Sequence, residues 1–317
     1  MTPPESPHNA TRVLFATQIL AFDDASIAEA AALMLAGQPV AVPTETVYGL
    51  AADATNAAAV ALIYAAKGRP GFNPLIVHVP DLAAAELLGV FNADARSLAA
   101  AHWPGPLTIV VPARADNGIA ALVTAGLETI ALRVPAHPAM QALLAATARP
   151  LAAPSANASG RISPTRAAHV LASLDGRIAL VIDGGATPQG IESTIVAATG
   201  GGLRLLRRGP IEVDAPLSSE GIEAPGMMAS HYAPSKPLRL DATEAQEGEY
   251  LIGFGAVAGD ANLSDSGDLI EAASRLFDLL HQADSAPHPR IAVAAIPDHD
   301  IGVAIRDRLQ RAAAPRA

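Results

Sequence analysis

Lys67 and Arg69 stand two positions apart on a segment broken by Gly68, Pro70 and Gly71, and Ser155 and Asn157 repeat that spacing just after the apolar run Leu151 to Ala153. Cations set beside hydroxyl and amide groups make an anion site with polar specificity, a combination that suits a nucleoside triphosphate. Only Lys67 and Lys236 are lysines, the other cations being arginine. Each cation alone reads equally well as solvated surface charge, so the weight falls on the spacing.

No Walker A loop or complete GxGxxG fingerprint is present, since Gly253-Phe254-Gly255 lacks the third glycine. A triphosphate would therefore rest on Lys67, Arg69 and Arg207, with Asn73 and Asn157 adding neutral hydrogen bonds. His78, in the run Leu75 to Val79, points away from Val77 and Val79 by strand alternation, and reads as a core histidine or a ligand contact. Arg133, in Ala131-Leu132-Arg133-Val134, is costly to bury unless it meets a carboxylate or a phosphate. Ser155 and Ser193 follow turn-prone residues and could be ordinary capping hydroxyls. No Gly-x-Ser-x-Gly motif supports a serine hydrolase. Glu45, Asp183 and Glu192 could hold magnesium or cap strand ends.

These residues need strand ends to present them. Asp23 and Asp24 lead into a helix that stops near Gly37, and Val40 to Val42 form a strand delivering Thr44 to Gly49 into a loop. Helices are expected over 56–66, 81–88, 92–102 and 138–148, and strands over 75–79, 107–111, 130–134, 178–182, 193–197 and 203–207. Ser163-Pro164 reads as an N-cap and first position of another helix. Residues 215–237 lose periodicity and gain proline, glycine and serine, yet Ala224-Pro225-Gly226-Met227 and His231-Tyr232-Ala233-Pro234 carry groups a bland spacer does not need. That stretch is a candidate lid. Beyond it, 249–254, 268–282, 290–296 and 302–314 alternate strand, helix, strand, helix, a small βαβα module.

At 317 residues, two domains are the natural expectation. The apolar fraction of 50% supports buried cores, while 3% aromatic residues disfavour a base-stacking platform. A net charge of −10 argues against extended nucleic-acid binding. The absence of cysteine removes disulfides, thiolate nucleophiles and cysteine-held metal centres. No signal peptide is expected over Met1 to Ala10 and no membrane span elsewhere, so the expected location is cytoplasmic.

Taken together, Pro43 to Leu50, Lys67-Gly68-Arg69-Pro70, Asn73 to His78, Trp103 to Thr108, Pro154-Ser155-Ala156-Asn157 and Glu192-Ser193-Thr194-Ile195 resemble the YrdC-type threonylcarbamoyl-AMP synthases. The resemblance covers about residues 12 to 212, and the two lid motifs extend it to the long form with a C-terminal domain. It implies an α/β fold: a YrdC-like twisted mixed sheet with flanking helices around a concave cavity (12–212), a linker or lid (213–240) and a small Rossmann-like C-terminal domain (241–317). It implies a nucleotidyltransferase joining L-threonine, bicarbonate or CO2, and ATP with its Mg2+ into threonylcarbamoyl-AMP, for the N6-threonylcarbamoyl modification of adenosine 37 in ANN-decoding tRNAs.

By the same resemblance, threonine should draw on Thr46, His78, Arg133, Ser155 and Ser193, and ATP on Lys67, Arg69, Asn73, Thr129, Asn157, Thr165 and Arg207, with His231 or Tyr232 closing over the nucleotide. Lys67, Arg69, Ser155 and Asn157 are the expected catalytic set, and no resident metal site is assigned. Leu206-Arg207-Arg208-Gly209-Pro210 departs from the family's usual Leu-Arg-Pro-Gly-Pro, with Arg207 aligned to the family arginine. Implied partners are the downstream tRNA threonylcarbamoyl-transfer machinery and a weak tRNA contact. The C-terminal domain is expected to assist closure or docking. The rival reading is a double-stranded RNA or tRNA-binding module using the same cationic patch without turnover, which the acidic charge and scarce aromatics disfavour.

Overall fold

The computed structural model describes residues 16–218, 223–226 and 230–315; Met1 to Ala10 and Met227 lie outside them. The first sheet is assembled from β1 (Gln18–Ala21), β2 (Val40–Pro43), β3 (Tyr48–Asp53), β4 (Ile76–His78), β5 (Leu107–Pro112), β6 (Thr129–Arg133), β7 (Leu151–Ala152), β8 (Leu180–Asp183), β9 (Thr194–Ala197) and β10 (Arg204–Arg207). Its ten strands run in the order β1-β8-β2-β3-β7-β4-β6-β5-β9-β10, with parallel and antiparallel pairs mixed. Around it lie α1 (Asp24–Leu35), α2 (Ala57–Lys67), α3 (Leu82–Leu88), α4 (Ala93–His102), α5 (Ala121–Thr124), α6 (Pro138–Thr147) and α7 (Ala167–Leu174). A second, parallel sheet, β11 (Leu238–Ala242), β14 (Arg290–Ala294), β12 (Glu249–Gly253) and β13 (Ala261–Asn262), packs with α8 (Leu269–Ser285) and α9 (Gly302–Ala313).

Local chemistry explains the main boundaries. Asp23 accepts the Ser26 amide at 2.7 Å and closes a reciprocal capping box at the start of α1. Asn56 accepts the amides of Ala58 and Ala59, while Gly68 ends α2 with φ of 59°, so Lys67 is delivered on the last turn. β2 is apolar and buried throughout, and forms a hairpin with β3 whose turn is closed by the Thr44 hydroxyl on the Val47 carbonyl at 2.7 Å. No helix of the described residues is long and apolar enough to cross a membrane.

Three expectations change. Ser163 and Pro164 open no helix: α7 starts at Ala167, the Ser163 hydroxyl is committed to Glu192 at 2.5 Å, and the Pro164 carbonyl accepts the Tyr48 amide at 2.8 Å. A tertiary acceptor took the hydroxyl that a cap would have used. Tyr48 and Gly49, expected in a loop, begin β3, because the turn is tighter and ends at Val47. The second sheet begins at Leu238, inside the stretch expected as linker, and the short β11 and β13 join the βαβα pattern as additional strands. Neither strand carries a continuous buried run that would mark it in sequence.

The two sheets are not packed independently. Val47, Ile162, Ile191 and Tyr232 share a buried cluster with Leu276, Phe277 and Ile305 of α8 and α9. Gly190, with φ of 69°, lies so close to α8 that an added Cβ would meet the Ala273 and Ser274 carbonyls at 2.4 Å. Only glycine fits that junction.

Candidate active site

A cavity of about 50 Å³, room for a few water molecules, opens where the ends of several strands of the first sheet meet Pro225, Gly226, His231 and Tyr232. Parallel pairing of β4 and β6 sets His78 beside Arg133 at their carboxyl ends, the usual position for ligands in open α/β sheets. The Thr44 to Val47 turn, the Pro154-Ser155 segment after β7, Arg207 at the end of β10, and Pro225, Gly226, His231 and Tyr232 complete the wall with Arg69 and Glu192.

The charges are built in two ways. Arg133 is buried, and its Nη2 donates to Glu45 Oε1 at 2.5 Å while Glu45 Oε2 accepts the Ala136 amide at 3.0 Å. Burial alone would raise the Glu45 carboxyl; Arg133 and these hydrogen bonds more than offset it and hold the group below the ordinary range. Arg207 is also buried, yet its hydrogen-bond acceptors among the described residues are neutral: the Ser193 carbonyl and hydroxyl, each at 3.0 Å, and the Pro225 carbonyl at 3.3 Å. Arg69 likewise donates to the carbonyls of Asn73 at 3.1 Å and Pro74 at 2.8 Å. Among the described residues neither forms a salt bridge with a carboxylate. Burial lowers both, Arg69 to about 10, which leaves Arg69 charged at neutral pH.

Neutral polar groups complete the lining. Burial and the nearby Arg133 push His78 down to about 3, and burial pushes His231 to about 3, so both rings are uncharged. His78 Nδ1, His231 Nδ1 and the Tyr232 hydroxyl are buried without a hydrogen-bond partner among the described residues. Polar atoms left that way in a native site are ready for a ligand. The Thr46 hydroxyl lies 2.8 Å from that of Thr44.

Of the residues expected from sequence, Thr46, Arg69, His78, Arg133, Ser155, Arg207, His231 and Tyr232 line this one cavity. Lys67 stands behind the wall. Its Nζ donates to the Ser155 and Asn157 carbonyls, each at 2.5 Å, tying the end of α2 to the serine loop, and burial pushes it well below the usual lysine range. Asn157 continues that brace through Nδ2 to the Arg161 carbonyl at 2.7 Å. Ser193 is buried beneath Arg207 and 2.8 Å from the Thr108 hydroxyl, and the Asn73 carbonyl supports Arg69. Thr129 lies at the opposite end of β6 from Arg133, paired with Pro112, and Thr165 sits beside His169; the structure brings neither to the cavity.

The three carboxylates considered for magnesium are engaged separately: Glu45 with Arg133, Glu192 with Ser163 and Arg308, and Asp183 with the Tyr48 hydroxyl at 3.2 Å. Arg207 faces the cavity, whereas Arg208 faces a larger cleft of about 440 Å³ beside α9. Arg308 went unread in the sequence. Its signal was an arginine inside the apolar stripe of α9, between Ala304 and Ala312 at helical spacing.

Comparison with known proteins places the chain in a family. The Sua5/YciO/YrdC family model, described as telomere recombination, matches residues 32–209, and the C-terminal domain model of threonylcarbamoyl-AMP synthase matches residues 187–314. Threonylcarbamoyl-AMP synthase of Bacillus subtilis is 40% identical over 95% of this chain and 96% of its own length. The crystal structure of Pyrococcus abyssi Sua5 complexed with L-threonine superimposes with a TM-score of 0.86 at 34% identity, covering 94% of this chain and 98% of that one. Escherichia coli YciO, at 20% identity and a TM-score of 0.56 over 62% of this chain, shares the fold. The chain belongs to the threonylcarbamoyl-AMP synthase family, in the form that carries the Sua5 C-terminal domain.

Proposed function

We propose that the chain makes threonylcarbamoyl-AMP from L-threonine, bicarbonate or CO2, and ATP, with release of pyrophosphate, and that the product serves the N6-threonylcarbamoyl modification of tRNA. The observation that carries this reading is a pair of arginines, Arg69 and Arg207, held in one cavity wall without carboxylate partners among the described residues, in a chain of net charge −10. A charge kept out of water with no carboxylate bonded to it is stabilised when an anion arrives.

Threonine sits on the side of Thr46, His78, Arg133 and Ser155. Neutral His78 and the hydroxyls offer hydrogen bonds, and a site that pairs the threonine hydroxyl rejects valine, which would leave those groups unpaired. The threonine amine adds to CO2 and loses a proton, giving a carbamate. A carbamate oxygen then forms a bond to the α-phosphorus while the bond to pyrophosphate breaks. Arg69 and Arg207 face the negative charge that spreads over the phosphates, a preorganised stabilisation requiring no covalent enzyme intermediate. Lys67, Asn157, Ser193 and Asn73 act one step back by bracing Ser155, Arg207 and Arg69. Magnesium enters with ATP as part of that substrate.

His231 and Tyr232 close the nucleotide side and exclude water, to which both carbamate and mixed anhydride are labile. The working division is a catalytic body over 12–212, a lid, and a C-terminal body from Leu238 onward. The reaction belongs in the cytoplasm with the tRNA-transfer machinery. The test is pyrophosphate release from ATP with threonine and bicarbonate, against valine and serine in place of threonine. Release that ignores the amino acid, or salt-sensitive RNA binding with no release, removes the reading.

A further inference from the structure

Arg308 projects from α9 of the C-terminal body, and its side chain is fully buried. Its Nε donates to Glu192 Oε2 at 2.9 Å, its Nη1 to Asp307 Oδ2 at 2.8 Å and its Nη2 to the Arg208 carbonyl at 2.8 Å. One side chain thus reaches a cavity-lining carboxylate and the backbone immediately after Arg207. Burial works against its charge, but Tyr232, Glu192 and Asp307 around it more than offset that and keep it protonated.

The same guanidinium lies 5.3 Å from the centroid of the Tyr232 ring, within cation–π range. That ring also packs on Phe277 of α8 at 5.6 Å and edge-to-face on His231 at 4.1 Å. At its far end the Tyr232 hydroxyl abuts Gly226, where an added Cβ would lie 2.8 Å from it and 2.9 Å from Arg207 Cδ. Tyr232 therefore bridges Arg308 to the cavity wall. The lid backbone is held by both bodies, through His231 N–H to the Arg311 carbonyl at 3.2 Å and Ala233 N–H to the Gly160 carbonyl at 2.8 Å.

A part-exposed ion pair, Arg166 with Asp278 of α8 at 2.7 Å, also joins the two bodies. The buried Arg308 differs from it in gripping two components of the cavity, Glu192 and Tyr232. We propose that Arg308 is a positioning residue, through which the C-terminal body fixes Glu192 and Tyr232 and thereby holds the lid closed over the nucleotide side of the cavity. This rests on the functional reading above for its ATP readout, though not for its structural one.

The experiment compares the full-length parent with Arg308→Lys, Arg308→Met and Glu192→Gln. Lysine keeps the charge but cannot reach three acceptors and the ring together. Hydrogen exchange at His231 and Ala233 should quicken in folded Arg308→Lys by about tenfold or more. The KM for ATP should rise by about tenfold or more, with the KM for threonine changed less than about twofold. A purely structural arginine would lower the thermal midpoint and leave the KM values of the folded enzyme unmoved. Should Arg308→Met fail to fold, Glu192→Gln, which removes the charged acceptor and keeps the volume, must reproduce the faster exchange. Unchanged exchange at both amides in Arg308→Lys and Glu192→Gln overturns the proposal. Quickened exchange in the variants, with a parent chain that itself releases no pyrophosphate, would sustain it while the functional reading fails.

Discussion

Arg207 and Arg308 are both buried and stand near the same pair of groups, Glu192 and Tyr232, yet they are treated differently by their surroundings. At the junction of the two bodies, Arg308 is met by the carboxylates of Glu192 and Asp307. In the cavity wall, Arg207 is met by neutral oxygens of Ser193 and Pro225. A buried cation bonded directly to its counter-charge holds structure together; one whose direct acceptors are neutral, with Glu192 acting on it only across space, keeps its donors' field available for an anion from outside. Arg133, paired with Glu45, belongs structurally with Arg308 although it lines the cavity.

The sharpest way to break that distinction is to remove each kind of arginine. Arg133→Met strands the Glu45 carboxylate, and should cost about 3–5 kcal/mol in urea unfolding, most of it regained in Arg133→Met/Glu45→Gln. Failure of the double variant to recover would mean that Glu45 is not the reason for the loss. Arg207→Met should behave differently. Pyrophosphate release should fall by about 100- to 1,000-fold while the thermal midpoint falls far less than in Arg133→Met, because no carboxylate is bonded directly to the guanidinium removed. A midpoint falling in step with activity would erase the difference between the two arginines.

A smaller effect probes the junction through His169, which stacks on His281 at 3.9 Å, 3.4 Å from Asp278, itself bound by Arg166. Burial first, then His281 and Arg166, lowers His169 from 6.5 to about 4 against the pull of Asp278. Between these values the unfolded chain binds the proton and the folded chain does not. Stability contributed by the neutral ring is therefore complete above pH 6.5 and is lost as pH falls toward 4, by about 2–3 kcal/mol. His169→Phe should flatten that part of the urea-midpoint profile relative to the parent, and an unaltered profile would rule it out. The smallest effect is expected at Arg96, which is 55% exposed and pairs with Glu86. Arg96→Ala should shift stability by less than about 1 kcal/mol, and by less again at high salt. A larger shift would contradict the view that burial, not pairing alone, gives these arginines their weight.

Much of this was legible in the chain because the signals are local. Asp23, Asn56, Asp81 and Asn92 each cap the helix their position announced. The Gly200 to Gly202 turn joins β9 to β10 as an antiparallel pair. Arg69 stood out on its glycine- and proline-broken segment, His78 and Arg133 as polar groups within apolar strands, and Arg207 as a further cation for a triphosphate. What escaped depended on distant partners. Ser163 had the local grammar of a cap, but Glu192 outcompeted the backbone for its hydroxyl. Thr129, named with Arg133 from the same short run, lies at the other end of β6 and outside the lining of this cavity, a separation that strand direction sets and the sequence spacing does not display.

The sequence by itself determined most of the secondary elements, the polar inventory and the order in which motifs arrive, since capping, alternation and glycine turns act over a few residues. Tertiary structure decided which cations keep a counter-charge, that Lys67 braces Ser155 and Asn157 from behind, and that an arginine from the last helix grips the cavity wall. Those outcomes depend on burial and on groups more than a hundred residues apart, as Glu192 and Arg308 are. No local pattern carries the electrostatic cost that such pairings must balance.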